Sequence, residues 1–186
     1  MRNSMRNAMS NFRIALFLLG LACCPLTTLL AQTPAAAQGD AWKPLAFLEG
    51  TWDAKAQGST GAEAAGSYTF RLELDGHVMA RHSRTAECKG PAGFDCEHGD
   101  LLYVYADAPG QRLKAIYFDS EGHVIHYGVS TPDATTAVFL SDASTPGPQF
   151  QLVYALHGAV MSGKFQMRMP GQTQWRSYLE WSGEKK

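Results

Sequence analysis

Tyr68-Thr69-Phe70-Arg71-Leu72-Glu73-Leu74-Asp75-Gly76-His77 reads as one strand and the turn that reverses it. Tyr68, Phe70, Leu72 and Leu74 alternate with Thr69, Arg71 and Glu73, the period of two that gives a strand one apolar face. Asp75-Gly76 is the strongest short signal for a two-residue hairpin turn, because both residues accept a positive φ. Residues 77–86 then return as the partner strand. A two-residue turn pairs Leu74 with His77, Leu72 with Met79, Phe70 with Arg81 and Tyr68 with Ser83. Cross-strand partners share a face, so this face carries Tyr68, Phe70, Leu72, Leu74 and Met79 together with Arg81.

The same pattern extends in both directions. Strands are expected at 51–57, 101–106, 112–119, 123–130, 136–141, 149–156, 160–169 and 174–181, each bounded by turn formers. The Gly/Ala/Ser-rich run 57–66 reads as a long first loop, and Thr131-Pro132-Asp133 as a turn. Residues 42–48 can form a single helical turn, with Pro44 tolerated near its start. Ten strands with uniformly short connections predict an all-β fold, a single antiparallel up-and-down barrel of about ten strands. A two-sheet sandwich is the alternative.

The N-terminal segment has a different character. Arg2, Arg6 and Arg13 precede the apolar run 14–22, and Ala35-Ala36-Ala37 before Gln38 fits a small-residue cleavage site, with Ala31 an earlier candidate. This predicts a secretory signal peptide over 1–37 and a barrel domain over 38–186, exported to the periplasm or beyond. The apolar run is too short for the ~20 residues of a span, and Cys23 sits badly for a lipoprotein. The 186 residues hold 16 basic and 17 acidic side chains. Removing the three signal arginines leaves 13 against 17, a net of −4, which gives no attraction for nucleic acid. Cys88 and Cys96 remain, bracketing a turn-rich loop, and in an oxidising compartment they are expected to form a disulfide.

A barrel this wide encloses a lumen. Its predicted lining includes Trp52, Tyr68, Phe70, Met79, Arg81, Tyr117, Asp119, Tyr127, Tyr154, Phe165 and Trp175. Aromatic and Met side chains with a few polar groups suit a small apolar or amphipathic molecule. An inward Arg81 needs a partner or an anionic ligand, and a fatty-acid-like carboxylate would meet it. His77, His82 and His98 read as surface residues near turns.

Phe47-Leu48-Glu49-Gly50-Thr51-Trp52 resembles the opening of the calycin barrels (lipocalins, fatty-acid-binding proteins and nitrobindins), where a helical turn ends in G-x-W at the first strand. Gly50 would let the chain turn tightly and Trp52 would close the barrel floor. Residues 44–183 are most similar to small secreted bacterial lipocalin-like proteins of unknown function. A stretch like theirs runs Ala115-Ile116-Tyr117-Phe118-Asp119-Ser120-Glu121-Gly122-His123-Val124-Ile125. The resemblance implies a ten-stranded barrel and an apolar ligand, and no known reaction. Nitrobindins continue G-x-W-x-G-x-G, where this chain has Ala54 and Ala56, and they supply a haem-binding His late in the barrel. Here 174–181 contain no His, so haem loses its anchor.

The densest polar cluster runs from Asp119 through Glu121 and His123 to His126 and Tyr127. It could serve a hydrolase or isomerase as an acid/base pair, although alternation puts His123 and His126 on opposite faces. No nucleophile elbow, phosphate loop or metal-cage spacing is present. The reading is therefore a ligand-binding barrel without cofactor, metal or catalysis. The Asp119–His126 enzyme, a haem protein and a filled structural barrel are its alternatives.

Overall fold

The computed structural model describes residues 41–92, 94, 96–107, 112–143 and 147–186. The expected signal segment, with its cleavage sites, lies outside them. The described residues form a 3-10 helix, Lys43–Leu48, and ten strands. These are β1 Gly50–Gly58, β2 Glu63–Glu73, β3 Val78–Lys89, β4 Gly99–Ala106, β5 Leu113–Asp119, β6 Val124–Asp133, β7 Thr136–Ser141, β8 Gln149–His157, β9 Val160–Arg168 and β10 Arg176–Lys185. Every consecutive pair is antiparallel and β10 returns to β1, so the sheet closes as an up-and-down barrel. Closure leaves no edge strand to pair with another chain.

Phe70 pairs with Arg81, Leu72 with Met79 and Tyr68 with Ser83, the register read from the sequence. The turn itself differs from expectation. Leu74 leaves the strand and takes φ +51, followed by Asp75 at +55 and Gly76 at +83. The His77 amide donates to the Leu74 carbonyl at 3.1 Å. Leu74 therefore does not join the apolar face and is 73% exposed, and Leu72 is also exposed, beyond the closed end of the core. A leucine in the left-handed region costs free energy that asparagine or glycine would not. Leu74→Asn is expected to raise stability by about 0.5–1 kcal/mol in thermal or urea unfolding.

Two boundary expectations are corrected. Ala64, Ala65 and Gly66 belong to β2, not to a long loop, because β1 on one side and β3 on the other pair with them. Tertiary pairing here overrides weak strand propensity. A register shift falls between Ala65 and Gly66, where an added Cβ would meet the Arg84 carbonyl oxygen at 2.2 Å. Thr131-Pro132-Asp133 likewise extend β6, with a register shift between Ser130 and Asp133 that accommodates the proline.

One end of the barrel is plugged. Leu45 and Leu48 of the leading helix are fully buried with Trp42, against Trp52, Phe70, Met79, Val104, Phe139 and Met161. The Trp42 indole donates to the Gly76 carbonyl at 2.7 Å, tying the helix to the β2–β3 turn. The Trp52 indole donates to the Leu48 carbonyl at 2.9 Å, so the G-x-W tryptophan does close the floor. Among the described residues no helix is long and apolar enough to cross a membrane.

Candidate functional site

Tyr154 of β8 sits at the top of the floor, fully buried. Its ring lies 5.8 Å from Tyr68, 5.3 Å from Phe70, 6.2 Å from Phe139 and 5.5 Å from Trp181, mostly edge to face. Edge-to-face packing suits the aromatic quadrupole. Above this layer the barrel opens into a cavity of about 570 Å³. Its apolar wall is Ile125, Phe150, Leu152, Phe165, Met167, Leu179 and Trp181. Its polar wall is Arg81, His98, Tyr117, Asp119, Glu121, His123 and Tyr127.

The polar wall follows from the pleat. Arg81 pairs with Leu102 and Ser83 with Asp100, so Asp100 lies diagonal to Arg81 on the inner face. Arg81 Nη2 donates to Asp100 Oδ1 and Nη1 to the Tyr154 hydroxyl. Arg81 is 5% exposed and the Asp100 side chain 13%, so this is a buried ion pair. Burial opposes the charge on Arg81, but Asp100 and Tyr154 hold its pKa above the usual arginine value. Burial also opposes ionisation of Asp100, and Arg81, His98 and Ser83 outweigh it, so its carboxyl stays below the usual range. Burial pushes the Tyr154 phenol up to about 12 and raises Tyr117 and Tyr127 as well. All three are neutral hydroxyls at physiological pH.

The mouth is built from loops. The Cys88–Cys96 disulfide forms as expected, with Cα atoms 5.4 Å apart. The loop it closes brings Phe94 to the cavity. The Thr85 hydroxyl donates to the His98 carbonyl at 3.1 Å. Gly99 and Ser120 exchange two hydrogen bonds, at 3.0 and 3.2 Å, joining this loop to the β5–β6 hairpin. His98 Nε2 stands 3.3 Å from the Tyr117 hydroxyl and 3.7 Å from Asp100 Oδ2, and its Nδ1 3.5 Å from Glu121. Asp100 above all, with Asp119 and Glu121, raises the His98 pKa against the effect of burial.

The predicted lining residues separate by depth. Arg81, Tyr117, Asp119, Tyr127 and Phe165 line the cavity. Trp52, Tyr68, Phe70, Met79 and Tyr154 face inward but pack solidly in the floor beneath it. Trp175 lies outside the cavity, before β10, with the Arg168 guanidinium 4.6 Å from its ring centre. The reason is a register shift between Ser177 and Leu179, which puts those two on opposite faces and breaks the expected alternation. His98 is a second correction, being half-buried in the polar wall and not a surface residue. Asp100 already occupies the position beside Arg81 that the sequence reading gave to a ligand carboxylate. The Asp119–His126 cluster is divided. Asp119 Oδ2 lies 2.9 Å from His123 Nδ1 at the rim, whereas His126 is exposed on the outer face. Among the described residues no group of three or more His, Cys, Asp or Glu could hold a metal ion.

Trp181 reaches the wall because its β9 partner is Gly163, whose missing side chain leaves room for the indole. A Cβ added to Gly163 would fall 2.0 Å from Trp181 Cε2. Gly163→Ala is expected to displace the indole and cost about 1–3 kcal/mol, read by urea unfolding and a shift in tryptophan emission. A second, larger hollow is lined by β1, β2, β3, β9 and β10. It is open to solvent and lined by charges of both signs, Lys55, Lys89 and Lys164 with Glu63, Glu87 and Glu180, so it offers no enclosure to a small molecule.

No protein-family profile and no curated protein matches this chain. Solved structures with a similar course include engineered barrels. A redesigned β-barrel, mFAP0, bound to DFHBI is 9% identical, with TM-score 0.37, over 75% of this chain and 99% of its own. EF1p2_mFAP2b bound to DFHBI is 11% identical, with TM-score 0.37, over 77% and 98%. A de novo fluorescence-activating β-barrel is 9% identical, with TM-score 0.34, over 77% and 98%.

Proposed function

We propose that the chain is an exported, lipocalin-like carrier that holds one small, mainly apolar molecule in its upper lumen. The observation that carries this reading is the 570 Å³ cavity, with one apolar wall, one polar wall and a packed floor beneath. Its size and mixed lining are those of small-molecule sites. Export is supported by the arginine-led apolar segment before residue 38 and by a disulfide that suits an oxidising compartment. The lipocalin-like assignment rests on the helical turn, the G-x-W and the up-and-down closure. Native mass spectrometry of protein purified from its own host tests the function. A discrete added mass of one small molecule per chain is expected, lost on extraction with organic solvent. Apo protein that takes up no apolar compound would overturn the reading.

A further inference from the structure

We propose that the lumen selects a neutral ligand whose polar atom is a carbonyl oxygen, received by the Tyr127 hydroxyl, over a fatty acid of the same length. The proposal rests on the carrier reading and refines it.

Among the described residues Arg81 is the one Lys or Arg side chain that lines the cavity. Its charge is already taken up by neighbours. Both terminal nitrogens are engaged by Asp100 and Tyr154, and its Nε is sealed in the wall without a partner. Its charge is matched by Asp100, and Asp119 and Glu121 add two more carboxylates around the same space. A ligand carboxylate would lose its water, find Arg81 and His98 already paired with Asp100, and face these like charges.

An amine fares little better. Asp119 Oδ1 already accepts from the Glu121 and His123 amides at 3.1 and 2.8 Å, and Oδ2 faces His123 Nδ1. Glu121 is half in solvent and within 3.7 Å of both His98 and His123.

Trp181 Nε1 and Arg81 Nε are sealed away from the lumen, whereas Tyr127 presents a neutral hydroxyl on the cavity wall. It is 3% exposed, it lines the cavity, and its hydroxyl makes no hydrogen bond among the described residues. Its ring is held edge-on to Phe139 at 6.3 Å, between Ala115 and Ser141 on the neighbouring strands. Burial keeps it protonated, so it is a fixed neutral donor. Opening on the lumen, this hydroxyl is free to donate to an acceptor that a ligand brings. A carbonyl supplies that acceptor and carries no charge, while the chain attached to it fills the wall formed by Leu152, Phe165 and Leu179.

The test uses the neutral apolar dye N-phenylnaphthylamine and three competitors of equal chain length: undecanone, undecanoate and undecylamine. At neutral pH undecanone is expected to displace the dye at a concentration about tenfold or more below either charged analogue, since burying an unpaired charge is costly. The infrared carbonyl band of bound undecanone should lie below its position in hydrocarbon solvent. In Tyr127→Phe the band should move back, and affinity should fall about three- to tenfold, the worth of one neutral hydrogen bond. Undecanoate binding as tightly as undecanone, or an unshifted band in the wild type, would overturn the proposal while leaving the carrier reading standing. A dye that never binds would overturn the carrier reading and this refinement together.

Discussion

Asp100→Ala is expected to cost about 3–5 kcal/mol, because it strands the Arg81 guanidinium in the barrel wall without its counter-charge. A domain of this size has about 5–15 kcal/mol in total, so the variant should unfold at markedly lower urea. The cost belongs to the broken pair and not to the lack of an ionic interaction as such. Arg81→Met combined with Asp100→Leu should therefore recover most of the loss. The pH dependence has a defined sign. Asp100 has a folded pKa below its ordinary 3.8, so its contribution is present above that value and fades as pH falls through the folded pKa. His98 has a folded pKa above its ordinary 6.5, so its contribution is full below that value and fades as pH rises through the folded pKa. The wild type should thus gain stability from this network most fully between the two, and Asp100→Ala should flatten both limbs. Equal urea midpoints for wild type and Asp100→Ala at neutral pH would contradict the account of the polar wall.

Tyr154→Ala is expected to be as severe. The ring contacts four other aromatic rings, and removing it opens a void under the lumen at about 3–5 kcal/mol. Tyr154→Phe keeps every ring contact and removes only the acceptor for Arg81 Nη1. It should cost about 1–3 kcal/mol, the penalty of a buried donor left unpaired. The order Ala worse than Phe separates packing from hydrogen bonding. Both hydroxyl and carboxylate act on one guanidinium, so Tyr154→Phe and Asp100→Ala should combine non-additively in urea unfolding. Strict additivity would mean that Arg81 does not couple them.

The barrel was legible because a period of two is a local property. Tyr68 to Leu72 name an inner face whatever the strand pairs with, and the Asp75-Gly76 turn sets the register to β3. Depth along the barrel is not local. Alternation points Trp52, Tyr68, Phe70 and Tyr154 inward, but whether they meet ligand or each other depends on the plug formed by Trp42, Leu45 and Leu48. Bulges are equally hidden, and the one beside Tyr178 moved Trp175 out of the site. Asp100 is less legible because the apolar alternation of its strand begins at Leu101. Carrying the alternation of Leu102 and Val104 back by one step places it inward, diagonal to an arginine that needs a partner. His98 lies outside any strand, and its contacts with Tyr117, Asp100 and Glu121 are made across the sheet and have no periodic signature.

The central claim is that the upper lumen binds a small molecule. The most direct measurement is a titration of the wild type and an Ile125→Trp/Leu179→Trp variant with N-phenylnaphthylamine. Both substitutions place bulk in the cavity wall. Saturable one-to-one binding by the wild type, with most of it lost in the filled variant while the fold is kept, is the predicted result. Equal binding by both proteins would place the dye outside the lumen, and no saturable binding by either would leave the cavity without the role assigned to it.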